Sequence, residues 1–251
     1  MSILITTANI LRLMSQLERG VTVKDLTEHL AMPKSTAARV LKQLKDSGFV
    51  DKNRQSQQYE PGLMFLDASY LVRRHSSLID VTEKALRELC QQTGHTGYVS
   101  IMDKNDVLAL RVIPGSHPLQ VVTHPGKRSS VWGTSTGRAI LSRMTDAQIA
   151  AQLRETLEDP AFGSTLDFAQ LMQRINQVRD RHWSAAINEL VSGVASVSCS
   201  VKDPGNGECL AFCLSFPAAM ADDAEIDRLS TLVCSAAKKI AQIVGDRYWS
   251  C

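Results

Sequence analysis

The sequence predicts a two-domain α+β protein: an N-terminal winged helix-turn-helix, a linker helix, and a C-terminal domain with a sheet and covering helices. The first third of the chain shows three amphipathic helical segments followed by two short strand patterns. A further amphipathic segment ends at a glycine, and the remainder mixes strand and helix patterns. We therefore divide the 251 residues into a helix-turn-helix domain at 1–75, a linker helix at 76–94 and a C-terminal domain at 95–251.

Apolar residues at helical spacing mark the first two helices. The first is predicted at about residues 3–18 and ends before Gly20. Thr22 and Asp25 have the spacing of a capping box, in which each side chain bonds the other residue's backbone, and this opens the second helix. Pro33 suits the first turn of a third helix, because its fixed φ is helical and its missing N–H costs nothing there.

The third helix has one apolar and one cationic face. Its apolar face carries Ala37, Val40, Leu41 and Leu44, and Gly48 ends the helix. The opposite face is small and basic, as expected of a helix that enters a major groove about 12 Å wide. After it come two short strands, near 49–50 and 57–60, with a polar tip between them. The candidate DNA-contacting residues on this helix and tip are Lys34, Ser35, Thr36, Arg39, Lys42, Lys45, Lys52 and Arg54.

These cations are expected to have different roles on DNA. Arg39 can donate two hydrogen bonds to a guanine edge and so read sequence. Lys42 and Lys45 suit phosphate, which fixes register without reading bases. The alternative is that this is a solvated basic face in an ordinary helical domain.

Charge is distributed unevenly along the chain. Residues 1–75 contain eleven Lys/Arg and seven Asp/Glu, a net +4, whereas the remainder has 17 and 19, a net −2, giving the overall +2. The basic excess therefore coincides with the predicted helix-turn-helix, which favours a nucleic-acid partner for that part.

Composition limits the classes of protein to which this chain can belong. No apolar run approaches the roughly 18 residues of a membrane span, and the first residues lack the pattern of a signal peptide. The six cysteines include no C-x-x-C pair and no zinc-finger spacing, so we expect reduced thiols in a cytoplasmic protein with neither metal nor cofactor. Cys209 and Cys213 are expected to share one face of a strand.

The stretch "LMSQLERGVTVKDLTEHLAMPKSTAARVLKQLKDSGFV" closely resembles the N-terminal domain of the IclR family of bacterial transcriptional regulators. The later "YEPGLMFLDASYL" resembles the segment after the family's wing, with Pro61 where leucine is usual. The resemblance extends over nearly the whole chain. It implies a GAF-like, effector-binding C-terminal domain, reached through the linker helix that "SLIDVTEKALRELCQQTG" resembles.

The C-terminal domain is predicted from alternating strand patterns and capped helices. Asp167 and Asp222 begin two of the helices, and Thr145 with Gln148 forms another capping box. A Pro-Gly-Asn-Gly turn at 204–207 joins two apolar strands. The other strands are predicted at 98–102, 107–113 and 119–123.

The segment Gly133-Thr134-Ser135-Thr136-Gly137 reads literally as G-x-S-x-G, the nucleophile-elbow pattern of serine hydrolases. An elbow needs a preceding buried strand, and "THPGKRSSV" is polar and turn-like. A triad also needs a histidine, but His182 is the only one after Ser135 and lies at the end of a predicted surface helix. We therefore favour a helix N-terminus whose hydroxyls and N–H groups bind an anion, with simple N-capping as the alternative.

The family resemblance implies which residues face the effector. Trp132 either narrows this pocket or belongs to ordinary packing, and Glu189 is the expected polar partner of the ligand. The candidate effector-binding residues are Val131, Trp132, Gly133, Ser135, Thr136, Ala186, Glu189, Ser196, Cys213 and Ser215.

Three functions follow from these observations. The first is a ligand-responsive transcriptional regulator, by resemblance a repressor of a carbon-source catabolic operon, with a small organic acid or sugar acid, a carboxylate, as effector. It would bind a near-palindromic operator in double-stranded DNA as a homodimer, since paired half-sites require paired reading helices. The family resemblance implies a tetramer as the alternative assembly. The alternatives are a ligandless architectural DNA-binding protein and a serine hydrolase fused to a DNA-binding domain.

Overall fold

A computed structural model describes residues 3–68, 77–118, 124–159 and 166–250 of the chain. The chain forms two compact units, Met1–Ser76 and Ser77–Cys251. The strand predicted at 119–123 lies outside the described residues. None of the described helices is long and apolar enough to cross a membrane.

The N-terminal unit has the predicted order of elements. Three helices are followed by an antiparallel pair of short strands, in which Val50 faces Pro61 and Lys52 faces Tyr59. Residues 64–68 are helical. The elements are α1 (Ile3–Leu17), α2 (Val23–His29), α3 (Lys34–Asp46), β1 (Val50–Lys52) and β2 (Tyr59–Pro61).

The capping box at Thr22 and Asp25 forms as predicted, and Arg19 extends it. The Thr22 side chain accepts from the Asp25 backbone N–H, and an Asp25 oxygen accepts from the Thr22 N–H at 2.7 Å. Arg19 donates to both Asp25 oxygens at 2.7 and 3.0 Å. This arrangement satisfies donors that a helix start would otherwise leave unpaired.

The C-terminal unit is built on a six-stranded antiparallel sheet with the strand order β5-β4-β3-β8-β7-β6. Its strands are β3 (Thr96–Asp103), β4 (Asp106–Ile113), β5 (Arg128–Ser130), β6 (Ser184–Ile187), β7 (Val194–Lys202) and β8 (Cys209–Pro217). Its α-helices are α4 (Ser77–Thr93), α5 (Ser135–Leu141), α6 (Asp146–Glu158), α7 (Phe168–Arg181) and α8 (Asp223–Val244).

The helix predicted as a linker is part of this unit's core. Leu78, Leu86 and Leu89 of α4 pack with β7, β8 and α8 in one buried apolar cluster. On β8, the residues of this cluster are Leu210, Phe212, Leu214 and Phe216, which alternate with residues of the opposite face. The helices α4 and α8 therefore cover one face of the sheet, and α5 and its neighbours pack on the other face.

Two strands were missed or misread from sequence. β5 is a three-residue strand at the sheet edge, within the segment that the sequence suggested to be all turn. β6 forms the other edge, at "SAAI" just after His182. Both are short and paired on one side only, so neither carries the apolar alternation by which a strand is recognised.

Candidate functional site

The outward face of α3 carries the predicted cations in the N-terminal unit. Ala37, Val40, Leu41 and Leu44 are buried, which fixes the rotation of the helix. Lys34, Ser35, Arg39, Lys42 and Lys45 are consequently exposed, and Thr36 is half-buried. The start of α3 has no side-chain cap, so its first N–H groups are open to an anion such as a phosphate.

The two wing cations are not equivalent. Lys52 lies within β1 rather than at the tip, and its Nζ sits 5.6 Å from the centre of the Tyr59 ring. Arg54 lies in the turn and is exposed. The turn is held by Asn53, whose Oδ1 accepts from the backbone N–H groups of Gln55 and Ser56 at 2.9 and 3.2 Å.

The outward face of α3 and the two-stranded wing together carry six candidate cations: Lys34, Arg39, Lys42, Lys45, Lys52 and Arg54. None of them forms an ion pair with a carboxylate in the described part of the chain. By contrast, Lys24 on α2 lies 3.6 Å from Glu28. Unpaired, exposed cations around one helix face are suited to phosphate contacts.

A cavity of about 360 Å³ lies on the other sheet face of the C-terminal unit. Register accounts for its polar wall, since Ser196 of β7 faces Ser215 of β8 and Ser198 faces Cys213. These even-numbered β7 residues point away from the buried cluster of Ala195, Val197 and Cys199. The described lining residues are Tyr98, Ser100, Val107, Ala109, Lys127, Ser129, Gly133, Thr134, Ser135, Thr136, Ala186, Glu189, Leu190, Val191, Val194, Ser196, Cys213 and Ser215.

Eight of the ten candidate effector residues lie together in this lining: Gly133, Ser135, Thr136, Ala186, Glu189, Ser196, Cys213 and Ser215. The other two do not. Val131 is fully buried, and Trp132 packs with the apolar cluster around α6 and α7. The inward-facing orientation considered for Trp132 is therefore wrong, and ordinary packing accounts for it.

Sequence reasoning missed the cavity residues that come from β3, β4 and β5, from Lys127 just before β5, and from the loop at 190–191. Tyr98, Ser100 and Lys127 contribute an aromatic ring, a hydroxyl and a cation. The sequence gives little indication that these three residues share a cavity, because each belongs to a strand or loop that pairs with distant parts of the chain.

The G-x-S-x-G segment has a packing explanation. The Thr134 hydroxyl caps α5 by accepting from the Gly137 N–H at 3.0 Å. A Cβ on Gly137 would lie 1.9 Å from the Val131 carbonyl oxygen, so only glycine fits there. The helix has seven residues, so the predicted anion site at its N-terminus is left with a short helix dipole.

In the described part of the chain, Ser135 lies beside another serine rather than a histidine. Its Oγ lies 2.7 Å from Ser196 Oγ, and no histidine is among the described residues of the cavity. His182, predicted to be a surface residue, is half-buried, and its ring lies 4.5 Å from Tyr248 and 5.4 Å from Trp249, centre to centre. Among the described residues, Ser135 therefore lacks the histidine that a nucleophile elbow requires.

Glu189 forms ion pairs with two arginines that lie behind the cavity wall, Arg138 and Arg174. Arg138 is 2% exposed and donates to both Glu189 oxygens at 2.8 and 3.0 Å, while Arg174 donates at 2.6 Å. Arg138 also donates to the backbone oxygens of Trp132 and Ala185. Burial lowers the pKa of Arg138, and the hydrogen bonds and charge of Glu189 oppose that shift. Two cations thus hold one carboxylate.

The other ionisable groups of the cavity wall are neutral at pH 7. Burial raises the pKa of Cys213 to about 12 and that of Tyr98 well above its ordinary value. Glu189 and Lys127 are the carboxylic acid and the amine among the described lining residues. The cavity is therefore a hydroxyl-rich space with an arginine-held carboxylate and a lysine on its wall.

Comparisons with known proteins agree on one family. The model of the IclR helix-turn-helix domain matches residues 7–54, and that of the bacterial transcriptional regulator IclR C-terminal domain matches residues 70–242. The transcriptional regulator BhcR of Paracoccus denitrificans is 26% identical over 88% of this chain and 80% of its own. The acetate operon repressor of Salmonella typhimurium is 22% identical over 90% and 84%.

Solved structures show the same fold. An IclR transcriptional regulator from Alicyclobacillus acidocaldarius superposes with a TM-score of 0.80 at 21% identity, covering 99% of this chain and 98% of its own.

Proposed function

The chain belongs to the IclR family of bacterial transcriptional regulators, and we propose that it is a ligand-responsive repressor of a carbon-source catabolic operon. Its relatives are DNA-binding regulators rather than enzymes, which removes the hydrolase alternative. Some of those relatives are named as repressors, which supports the direction of control. We expect it in the cytoplasm, where its DNA partner is found.

The proposed DNA contact is the outward face of α3 with the wing. Ser35 and Arg39 would lie in the major groove, and Lys42, Lys45 and the wing cations would hold the phosphates. The support is the coincidence of a fixed apolar face with unpaired, exposed cations opposite.

We infer a homodimer on a near-palindromic operator, with a tetramer as the alternative assembly. A dimer presents two reading helices about 34 Å apart, one turn of duplex. Light scattering on the purified chain measures the assembly directly.

The proposed effector is a small hydroxylated carboxylate, an organic acid or a sugar acid. The single observation that carries this is the 360 Å³ cavity with Ser135, Thr136, Ser196 and Ser215 on its wall. Hydroxyls can bond both the carboxylate and the hydroxyls of such a ligand, and Lys127 lies on the wall as a counter-charge. Glu189, already held by two arginines, would accept from ligand hydroxyls rather than bind the carboxylate.

A thermal-shift screen of small carboxylates and sugar acids tests the cavity. A ligand at about 100 times its dissociation constant stabilises a protein by ~2.7 kcal/mol, a readily measured shift. Ser196→Ala should weaken a hit, because the Ser196 hydroxyl lies on the wall. Ser192→Ala is the matched control, since Ser192 is exposed on the neighbouring loop and is not among the described lining residues.

The architectural alternative makes the opposite prediction. A ligandless DNA-binding protein would give no hit in a broad screen while still binding operator DNA in a gel-shift assay. Hits that Ser196→Ala and Ser192→Ala affect equally would instead show that the ligand binds elsewhere.

A further inference from the structure

Two cysteines meet on the sheet face that lies away from the cavity. Cys199 on β7 is fully buried and Cys234 on α8 is half-buried, and both are free thiols. Their Sγ atoms are 3.6 Å apart. A disulfide has an S–S length of about 2.05 Å, so the sulfurs need to approach by roughly 1.5 Å to bond.

The surroundings of Cys234 make it the reactive member of the pair. It lines an open pocket of about 540 Å³ together with three cations, Arg181, Lys238 and Lys239. The hydrogen bond with Cys199 lowers the pKa of the Cys234 thiol, and the charge of Lys238 lowers it further, whereas burial opposes both. The thiolate is the form of cysteine that reacts with oxidants, and it is favoured in an electropositive, accessible setting.

Cys199 has the complementary properties. Burial raises the pKa of its thiol well above the ordinary value, so it keeps its proton. It is shielded from solvent but lies against Cys234, which is the placement of a resolving thiol.

We propose that Cys234 and Cys199 form a peroxide-sensitive thiol–disulfide site. In the first step the Cys234 sulfur bonds to one oxygen of hydrogen peroxide, the O–O bond breaks, and the other oxygen leaves and takes a proton to become water. In the second step the Cys199 sulfur bonds to the sulfenic sulfur of Cys234, the S–O bond breaks, and hydroxide leaves with the Cys199 proton as water. The two sulfurs lose two electrons, and the peroxide gains them.

The disulfide would tie β7 to α8 on the face opposite Ser196. This site therefore stands apart from the effector cavity, and its failure would leave the proposed function untouched.

The test treats the reduced full-length chain with hydrogen peroxide in a Cys251→Ser background, since Cys251 lies outside the described residues. Non-reducing peptide mapping should show a peptide cross-linked through Cys199 and Cys234. Cys209 is the internal control, because it is also partly exposed but burial raises its pKa to about 11. Cys234 should react about tenfold faster, since its larger thiolate fraction outweighs its lower intrinsic nucleophilicity.

Two variants separate the steps. Cys199→Ala should stop at the sulfenic acid of Cys234, which dimedone traps and which forms more slowly than in the parent chain because the Cys199 hydrogen bond is lost. Cys234→Ser should leave Cys199 unmodified. The proposal fails if Cys234 reacts no faster than Cys209, or if its sulfenic acid accumulates in the parent chain with no cross-link to Cys199. The parent chain alone yields both measurements, so a poorly folding variant does not obscure the result.

Discussion

Two side chains on α3 are expected to have separate roles on DNA: Arg39 reads the base sequence, and Lys42 binds phosphate. Arg39→Ala should weaken operator binding and relax base preference, because a bidentate guanine contact discriminates by about 1–3 kcal/mol. Lys42→Ala should weaken operator and random DNA alike and reduce the salt slope by about one. Fluorescence anisotropy on both DNAs over a salt series measures this. Equal, small effects from the two variants on both DNAs would mean that α3 is not the reading helix.

The ion pair between Glu189 and the buried Arg138 is a second feature at the scale of single residues. Glu189→Gln leaves the buried Arg138 guanidinium without its carboxylate, so we expect a loss of about 3 kcal/mol in the free energy of unfolding. Arg174→Gln is the matched control, because Arg174 is 42% exposed and such pairs contribute less than about 1 kcal/mol. Urea unfolding followed by tryptophan fluorescence reports on this unit, which holds all three tryptophans. Similar losses from both variants would show that Arg138 does not depend on Glu189.

Among the elements, α2 should depend on the charge of Asp25. The hydrogen bonds from Arg19 lower the pKa of the Asp25 carboxyl, Thr22 lowers it further, and burial opposes them. A folded-state pKa below the unfolded one stabilises the protein above about pH 4, and that contribution is lost as pH falls through the folded value. Asp25→Asn should therefore cost about 1–2 kcal/mol at pH 7, and less near pH 3.

Hydrogen–deuterium exchange of peptides from residues 20–46 measures this locally. At pH 7 the variant peptides should exchange about fivefold faster or more than those of the parent chain, and the ratio should fall near pH 3. Glu28→Gln is the control, since its i,i+4 pair with Lys24 is exposed and contributes only about 0.3–0.5 kcal/mol. A ratio that stays constant with pH would show that the ionised carboxylate is not what stabilises α2.

The elements also show where sequence reasoning succeeds. The caps at Thr22, Thr145 and Asp222 form as predicted, and Asp167 caps the helix that was predicted to start there, because a cap depends on residues within three positions of one another. The edge strands β5 and β6 escaped prediction because each is short and pairs on one side only, so neither carries the apolar alternation by which a strand is recognised. In the cavity, the local Ser135 and Thr136 were identified, whereas Lys127 and the Arg138–Glu189 pair depend on how separate segments come together.

At the scale of the whole molecule, regulation requires the DNA surface and the cavity to be coupled in free energy. If effector binding changes operator affinity by some factor, operator binding must change effector affinity by the same factor. Typical couplings are about 5–150-fold. This equality holds whichever assembly the chain adopts and whichever direction the effector acts.

The last prediction is this reciprocity. Calorimetric titration of a screened carboxylate should give two dissociation constants, one for the free protein and one for the operator complex. Their ratio should equal the ratio of operator affinities measured with and without the carboxylate, because both close the same thermodynamic cycle. Lys42→Ala should weaken DNA binding with little change in that ratio, since a phosphate contact contributes affinity but makes no contact with the effector. A carboxylate that occupies the cavity with the same affinity in both states would show that it is not an effector.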